Sequence, residues 1–243
     1  MLRKYWPEYT RIIKKQSWNF HTLYVDAFAG SGKHISRSTG EFVMGSPARA
    51  LDVSPPFDEY HFIDLDSTKV QSLQQLAAER PNVTVHEGDC NEILLRDVLP
   101  LADYRSFRRA LCLLDPYSLQ LDWNVIATAG RMKSVEIFLN FPIMDINRNV
   151  LREGASATKV MQMNRFWGDE SWRDKAFHDD PTLFGDFDPV KVGNHELAEA
   201  FRIRLRGVAG FTAVPQPLAM RNKNRATVTT SSSPGTTKPG PTS

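Results

Sequence analysis

Apolar residues in this chain gather in short runs separated by longer amphipathic stretches. Leu23–Phe28, Glu59–Asp64, Asn82–His86, Ala110–Asp115 and Val135–Asn140 are nearly continuous apolar segments, the pattern of strands covered on both faces. Between them lie helical patterns at Pro47–Val53, Ser67–Arg80, Asn91–Leu99 and Trp123–Met132, a longer helical region after Ile143, and a further helix over His195–Val208. Residues 1–20 read as a helix carrying Trp6, Tyr9, Ile12 and Ile13. Strand alternating with helix predicts an α/β fold with a doubly wound, mostly parallel sheet, preceded by an N-terminal helix and interrupted by a helical insertion after the fifth strand. Phe211–Val214 reads as a strand, and Pro217–Met220 leads toward another.

The chain of 243 residues divides at residue 225. Residues 1–225 form one ordered domain in this reading. Residues 226–243 are almost all Ser, Thr, Pro and Gly, too poor in apolar surface to offset the entropy of ordering, and read as a disordered tail. Thr229–Ser243 holds no Val, Ile or aromatic residue, so the C-terminal strand of the sheet is expected to be incomplete. A shifted reading frame or truncated gene would account for the change. The two cysteines, Cys90 and Cys112, have no metal-ligand spacing, which excludes a disulfide scaffold and points to a cytoplasmic protein. No apolar run approaches the roughly 18 residues of a membrane helix. A net charge of +2 is too small to argue for nucleic acid from bulk charge.

Four acids mark the strand ends: Asp26 within the first strand, then Asp64, Asp89 and Asp115. The steps from 64 to 89 and from 89 to 115 are 25 and 26 residues, and the step from 26 to 64 is 38. The first unit therefore carries extra chain, the loop Lys33–Met44, with His34 and Arg37 in reach of a substrate. Ligands of open α/β sheets bind beyond the carboxyl ends of the strands, so the four carboxylates make a candidate site.

Asp26-Ala27-Phe28-Ala29-Gly30-Ser31-Gly32 is the first motif. Its glycines let the backbone turn tightly and approach a ligand, or form a plain turn. A phosphate loop would need a glycine where Ala27 stands and Ser or Thr where His34 stands. A dinucleotide fingerprint would need a glycine at Ile35. S-adenosylmethionine has no pyrophosphate and needs neither. Asp64 in Phe62-Ile63-Asp64-Leu65-Asp66 can accept from both ribose hydroxyls, or be a solvated strand end; Asp66 reads as a helix N-cap. Asp89 can accept from an adenine amino group while the Cys90 N–H reaches a ring nitrogen, or it can cap a helix. Asp26, Phe28, Gly30, Gly32, Asp64, Asp89 and Cys90 are thus the cofactor-binding candidates. Asp115-Pro116-Tyr117 resembles, with one proline missing, the signature of methyltransferases acting on exocyclic amino groups. The Asp115 carboxylate and Pro116 carbonyl would orient the nitrogen, and Tyr117 would stack on a displaced base; the plain alternative is an X-Pro turn with a half-buried tyrosine. His61 reads as a satisfied interior histidine. Two basic clusters, Arg202-Ile203-Arg204-Leu205-Arg206 and Arg221 to Arg225, can meet phosphates or face solvent.

The motif order resembles class I S-adenosylmethionine-dependent methyltransferases, and the chain is similar to the three-Cys-motif partner protein family (TcmP). The resemblance rests on Lys4-Tyr5-Trp6, YVDAFAGSGK, Gly45-Ser46-Pro47 with Ala48 and Leu51, HFIDLD, LLDPYSLQLDW, Phe138 through Arg148, and Pro217 through Asn222, covering about residues 4–225. It implies a Rossmann-like methyltransferase fold and S-adenosylmethionine as cofactor. It also implies a radical-SAM-like partner protein with a three-cysteine motif. The expected function is methyl transfer to an amino group of nucleic acid. The alternative is a non-catalytic module of the same fold that serves the partner protein.

Overall fold

The fold starts from strands whose residues are buried almost without interruption. In a computed structural model, residues 2–35, 42–181, 187–221 and 227–232 are described. The elements are α1 (Leu2–Lys14), β1 (His21–Asp26), β2 (Lys33–Ile35), β3 (Phe42–Met44), α2 (Ser46–Leu51), β4 (Glu59–Asp64), α3 (Ser67–Ala77), β5 (Val83–Glu87), α4 (Cys90–Ile93), β6 (Arg108–Leu114), α5 (Trp123–Met132) and β7 (Val135–Phe141). There follow α6 (Ile143–Asn149), α7 (Ala157–Trp167), α8 (Arg173–Ala176), β8 (Phe177–Pro181), β9 (Phe187–Lys191), α9 (Asn194–Gly207), β10 (Leu218–Arg221) and β11 (Thr227–Ser232). The chain divides into two compact units, Met1–Asp115 with Met132–Ile137, and Pro116–Arg131 with Phe138–Ser243.

In the first unit the strand order is β7-β6-β1-β4-β5. β1 pairs in parallel with β4 and β6, and β4 with β5. Both β1 and β4 are buried at five of six positions, as strands covered on both faces must be. Helix α1 supplies Trp6 and Tyr9 to one face: Trp6 meets Tyr24 edge-on at 5.1 Å, and Tyr9 stacks on Phe57 at 5.9 Å. Asp66 caps α3 as expected, accepting from the Thr68 N–H at 2.9 Å. The chain runs outward from β1 in both directions, so the topological switch point lies between β1 and β6. Asp26 ends β1 and Asp115 follows β6 there.

In the second unit, aromatic rings from α5, β7, α7 and α9 form the core. Phe201 stacks on Phe141 at 4.8 Å and on Phe166 at 5.2 Å, with Trp123 and Trp167 around it. Gly168 ends α7 in a left-handed conformation, φ 101°. A Cβ there would stand 2.5 Å from the Trp123 ring, so only glycine fits. β11 pairs antiparallel with β10 on one side and with Leu139–Phe141 of β7 on the other.

This mostly parallel sheet with flanking helices is a doubly wound, Rossmann-like fold. Three expectations need correction. The segment from Thr227 does supply a strand, β11, inserted antiparallel between two others, so the C-terminal strand is not missing. Backbone pairing on both sides holds it, and β-branched Thr suits it. Residues 233–243 lie outside the described residues. Phe211–Val214 is not a strand: Phe211 and Val214 are buried in a connecting segment, and β10 begins at Leu218. Asp26 is the last residue of β1 rather than interior to it, which leaves Phe28 in the following turn. The extra chain at Lys33–Met44 carries the antiparallel pair β2 and β3; Arg37 lies outside the described residues. The helical insertion after the fifth strand also contains the antiparallel pair β8 and β9. No described helix is long and apolar enough to cross a membrane.

Candidate cofactor site

The site grows from the turn after β1. Gly30 and Gly32 take φ +64° and +71°, conformations that other residues adopt only with strain. A Cβ on Gly30 would meet nothing within 4 Å, so its absence leaves an open cradle, whereas one on Gly32 would press on Leu76 at 3.1 Å. The turn is tied down at both ends. The Gly30 N–H donates to Asp64 Oδ2 at 2.8 Å, and the Gly45 N–H donates to the Gly32 carbonyl at 2.8 Å. A Cβ on Gly45 would come to 3.0 Å from the Gly32 backbone.

Asp64 closes β4 and is 9% exposed. Its Oδ1 accepts from the Asp66 N–H at 3.0 Å and from Lys69 Nζ at 3.5 Å. The Gly88 N–H donates to the Asp64 carbonyl at 3.1 Å, which brings the loop after β5 to the same strand end. Asp89 in that loop caps α4, with Oδ1 accepting from the Asn91 N–H at 2.7 Å and its side-chain amide at 3.0 Å. Cys90 starts α4 and is buried.

Asp26 is fully buried. Burial pushes its carboxyl up to about 7; hydrogen bonds from Ser46, the Phe28 N–H and Tyr24 oppose the rise, and the Asp115 charge adds to it. The Phe28 N–H and Tyr24 hydroxyl each stand 3.4 Å from it. The same burial raises the Cys112 thiol beside Asp26, so this cysteine is an inert packing residue.

The structure thus gathers Asp26, Phe28, Gly30 and Asp64, with Gly32 locked against Gly45 and with Asp115 close enough to Asp26 for their charges to interact. Pro116 is buried and Tyr117 is 80% exposed, not half-buried; both begin the second unit. Sequence reasoning missed Tyr24, Lys69 and Ser46 as partners of the two acids. Ser46 had a signal, in Gly45-Ser46-Pro47, and so did Tyr24, two positions before Asp26 on the same face of β1. It also missed a buried donor with no acceptor among the described residues: the indole N–H of Trp6, packed on Tyr24, which is itself hydrogen-bonded to Asp26. His61 is an interior histidine as expected, bonded to Glu59 at 2.9 Å and His86 at 3.1 Å. In the first basic cluster, Arg202 pairs with Glu199, and Arg204 pairs with Asp169 and lies over the Trp123 ring at 4.6 Å. Residues 222–226 of the second lie outside the described residues.

No family model and no curated protein matches this chain. Among solved structures it is similar to a protein from Legionella pneumophila, at 14% identity and TM-score 0.46 over 68% of this chain and 71% of that one. It is also similar to a candidate methyltransferase from Thermobifida fusca, at 13% identity and TM-score 0.44 over 95% and 78%. A candidate S-adenosylmethionine-dependent methyltransferase from Listeria monocytogenes matches at 8% identity and TM-score 0.43 over 94% and 98%.

Proposed function

We propose that the protein is an S-adenosylmethionine-dependent methyltransferase acting on an amino group of nucleic acid. The observation that carries this reading is the Gly30 turn at the switch point, with open space where a Cβ would stand and its N–H fixed by Asp64. The residues fit the cofactor. Asp64 would accept from the ribose hydroxyls, and Lys69, whose side chain is half exposed, is the contact they would replace. Asp89 would accept from the adenine amino group beside the Cys90 N–H. Asp26 with its ring of donors would face the methionine part, alongside Phe28, Gly30 and Gly32. Ile35, in place of a third glycine, disfavours a dinucleotide.

S-adenosylmethionine supplies a sulfonium methyl group open to in-line displacement. The chain's part is positioning, which alone can supply much of the acceleration. Asp115 accepts a hydrogen bond from the acceptor amine, the Pro116 carbonyl accepts a second, and Tyr117 offers an exposed ring to a displaced base. Transfer of labelled methyl groups to single-stranded oligonucleotides tests this reading. The missing second proline of the Asp115-Pro116-Tyr117 motif favours one other reading, a non-catalytic module that serves a radical-SAM-like three-Cys-motif partner. That module would bind the cofactor and transfer nothing.

A further inference from the structure

The amino ends of the same parallel strands carry a second constellation, built on different chemistry. Trp18 and Phe107 stack with ring centroids 5.7 Å apart and planes 9° from parallel. Phe107 leans on Phe20 at 5.9 Å. The Arg109 guanidinium is held between rings, 4.4 Å from the centre of Phe20 and 4.3 Å from that of Tyr104. The result is a ladder of four rings and one guanidinium. Its two ends are open: Trp18 is 59% exposed and Tyr104 40%.

Hydrophobic burial does not explain this ladder, because three of its four rings stay substantially in water; Phe107 is 43% exposed. Its backbone is also strained. Phe107 sits at φ +56°, a region that bulky residues avoid. The strain is fixed by the His21 N–H donating to the Phe107 carbonyl at 3.1 Å and by the tight turn from Asp103. Strain retained to present exposed rings marks a functional surface.

Charge identifies the occupant. Residues 14–21 and 101–109 hold Lys14, Lys15, Arg105, Arg108 and Arg109 against one acid, Asp103. Lys14 and Arg108 pair with Asp58 and Glu59 of β4 and its approach. Arg109 has no carboxylate partner among the described residues. Arg105 has the Asp103 carboxylate nearby, and the cations still outnumber the acids, so flat exposed rings flanked by net positive charge fit a polymer of planar groups joined by anions.

We infer that the Trp18–Phe107–Tyr104 surface is an anchoring site for single-stranded nucleic acid, in which a base continues the Trp18 stack and Lys15, Arg105 and Arg109 meet phosphates. The surface lies at the opposite end of β6 from Asp115. At about 3.3 Å per residue, the eight positions from Phe107 to Asp115 put ~25 Å between them. The site therefore holds a strand without touching the candidate chemistry, and it stands whether or not the protein transfers methyl groups.

Fluorescence anisotropy of a labelled oligothymidylate, about 12 nucleotides long to match typical site sizes, tests this without any cofactor present. The full-length protein should bind it at low salt. Trp18→Ala should weaken binding ~10-fold while Trp18→Tyr retains most of it, since stacking on any aromatic face serves. Arg105→Glu should lower the slope of log affinity against log salt by about 1. Circular dichroism should show all three variants folded, because Trp18 and Arg105 are exposed. Absence of binding by the wild type, or equal binding by Trp18→Ala, overturns the inference. So does a change in sedimentation on Trp18→Ala, which would make the ladder a contact between copies of this chain.

Discussion

Glu59, at the amino end of β4, and Asp26, at the carboxyl end of β1, are acids of one sheet in opposite surroundings. Glu59 accepts from Arg108, from His21 at 3.2 Å and from His61 at 2.9 Å. Burial alone would raise its carboxyl, but Arg108, His61 and His21 hold it below the usual range. Among the described residues, Asp26 has the neutral donors Ser46, Tyr24 and the Phe28 N–H, and a like charge nearby in Asp115. Around Glu59 charge is compensated and serves the fold. Around Asp26, burial and a like charge leave the carboxyl raised at a cost to the fold, as at sites for polar or cationic ligands.

The largest effect should come from the carboxyl ends. If the protein methylates, Asp115→Ala should cut turnover ~100-fold or more, as misplacing a reacting group does, with cofactor affinity nearly unchanged. Tyr117→Phe should keep much of the activity and Tyr117→Ala little, because stacking uses the ring; equal damage from both would give the hydroxyl a role. Next, Asp64→Ala should weaken S-adenosylhomocysteine roughly ten- to a hundred-fold, from the ~1.5–3 kcal/mol of a hydrogen bond to a charged group. Unchanged affinity in a folded variant would remove Asp64 from ribose recognition.

At the amino ends, Glu59→Ala should lower unfolding free energy by about 1–3 kcal/mol, because Arg108 and His61 lose their acceptor; urea titration reads this. Asp26→Asn should do the reverse. The folded protein keeps the Asp26 proton up to about 7, while the unfolded chain loses it near 4. The unfolded state then holds fewer protons through that window, so stability falls as pH rises from about 4 to about 7. Asp26→Asn should lack this fall and be more stable at pH 8, on the order of 1–2 kcal/mol. His61 and His86, both held low by burial, act in the opposite sense in both proteins and cancel in the difference. A wild-type and variant pair with parallel pH profiles would show Asp26 to be ionised like any surface acid.

The strands of the first unit and their terminal acids were legible because both-face burial writes itself as continuous apolar runs and because a glycine pair after a strand has few uses. The pairing of Asp26 with Ser46 was not, since it joins segments whose approach depends on tertiary packing. β11 was missed because its apolar content was weighed where backbone pairing decides. Phe211 misled in the opposite way: it is apolar because it packs against α5, where a Cβ on Gly130 would touch it at 3.3 Å, and not because it pairs. The aromatic ladder at the amino ends left no periodic signal, since Trp18 and Phe107 are 89 positions apart.

The account centres on the Gly30–Asp64 cradle as a site for S-adenosylmethionine, and calorimetry addresses it most directly. Titration with S-adenosylhomocysteine should give one site of micromolar affinity, while NADH under the same conditions gives no heat of binding. Binding of NADH with none of S-adenosylhomocysteine, or of neither, would contradict it.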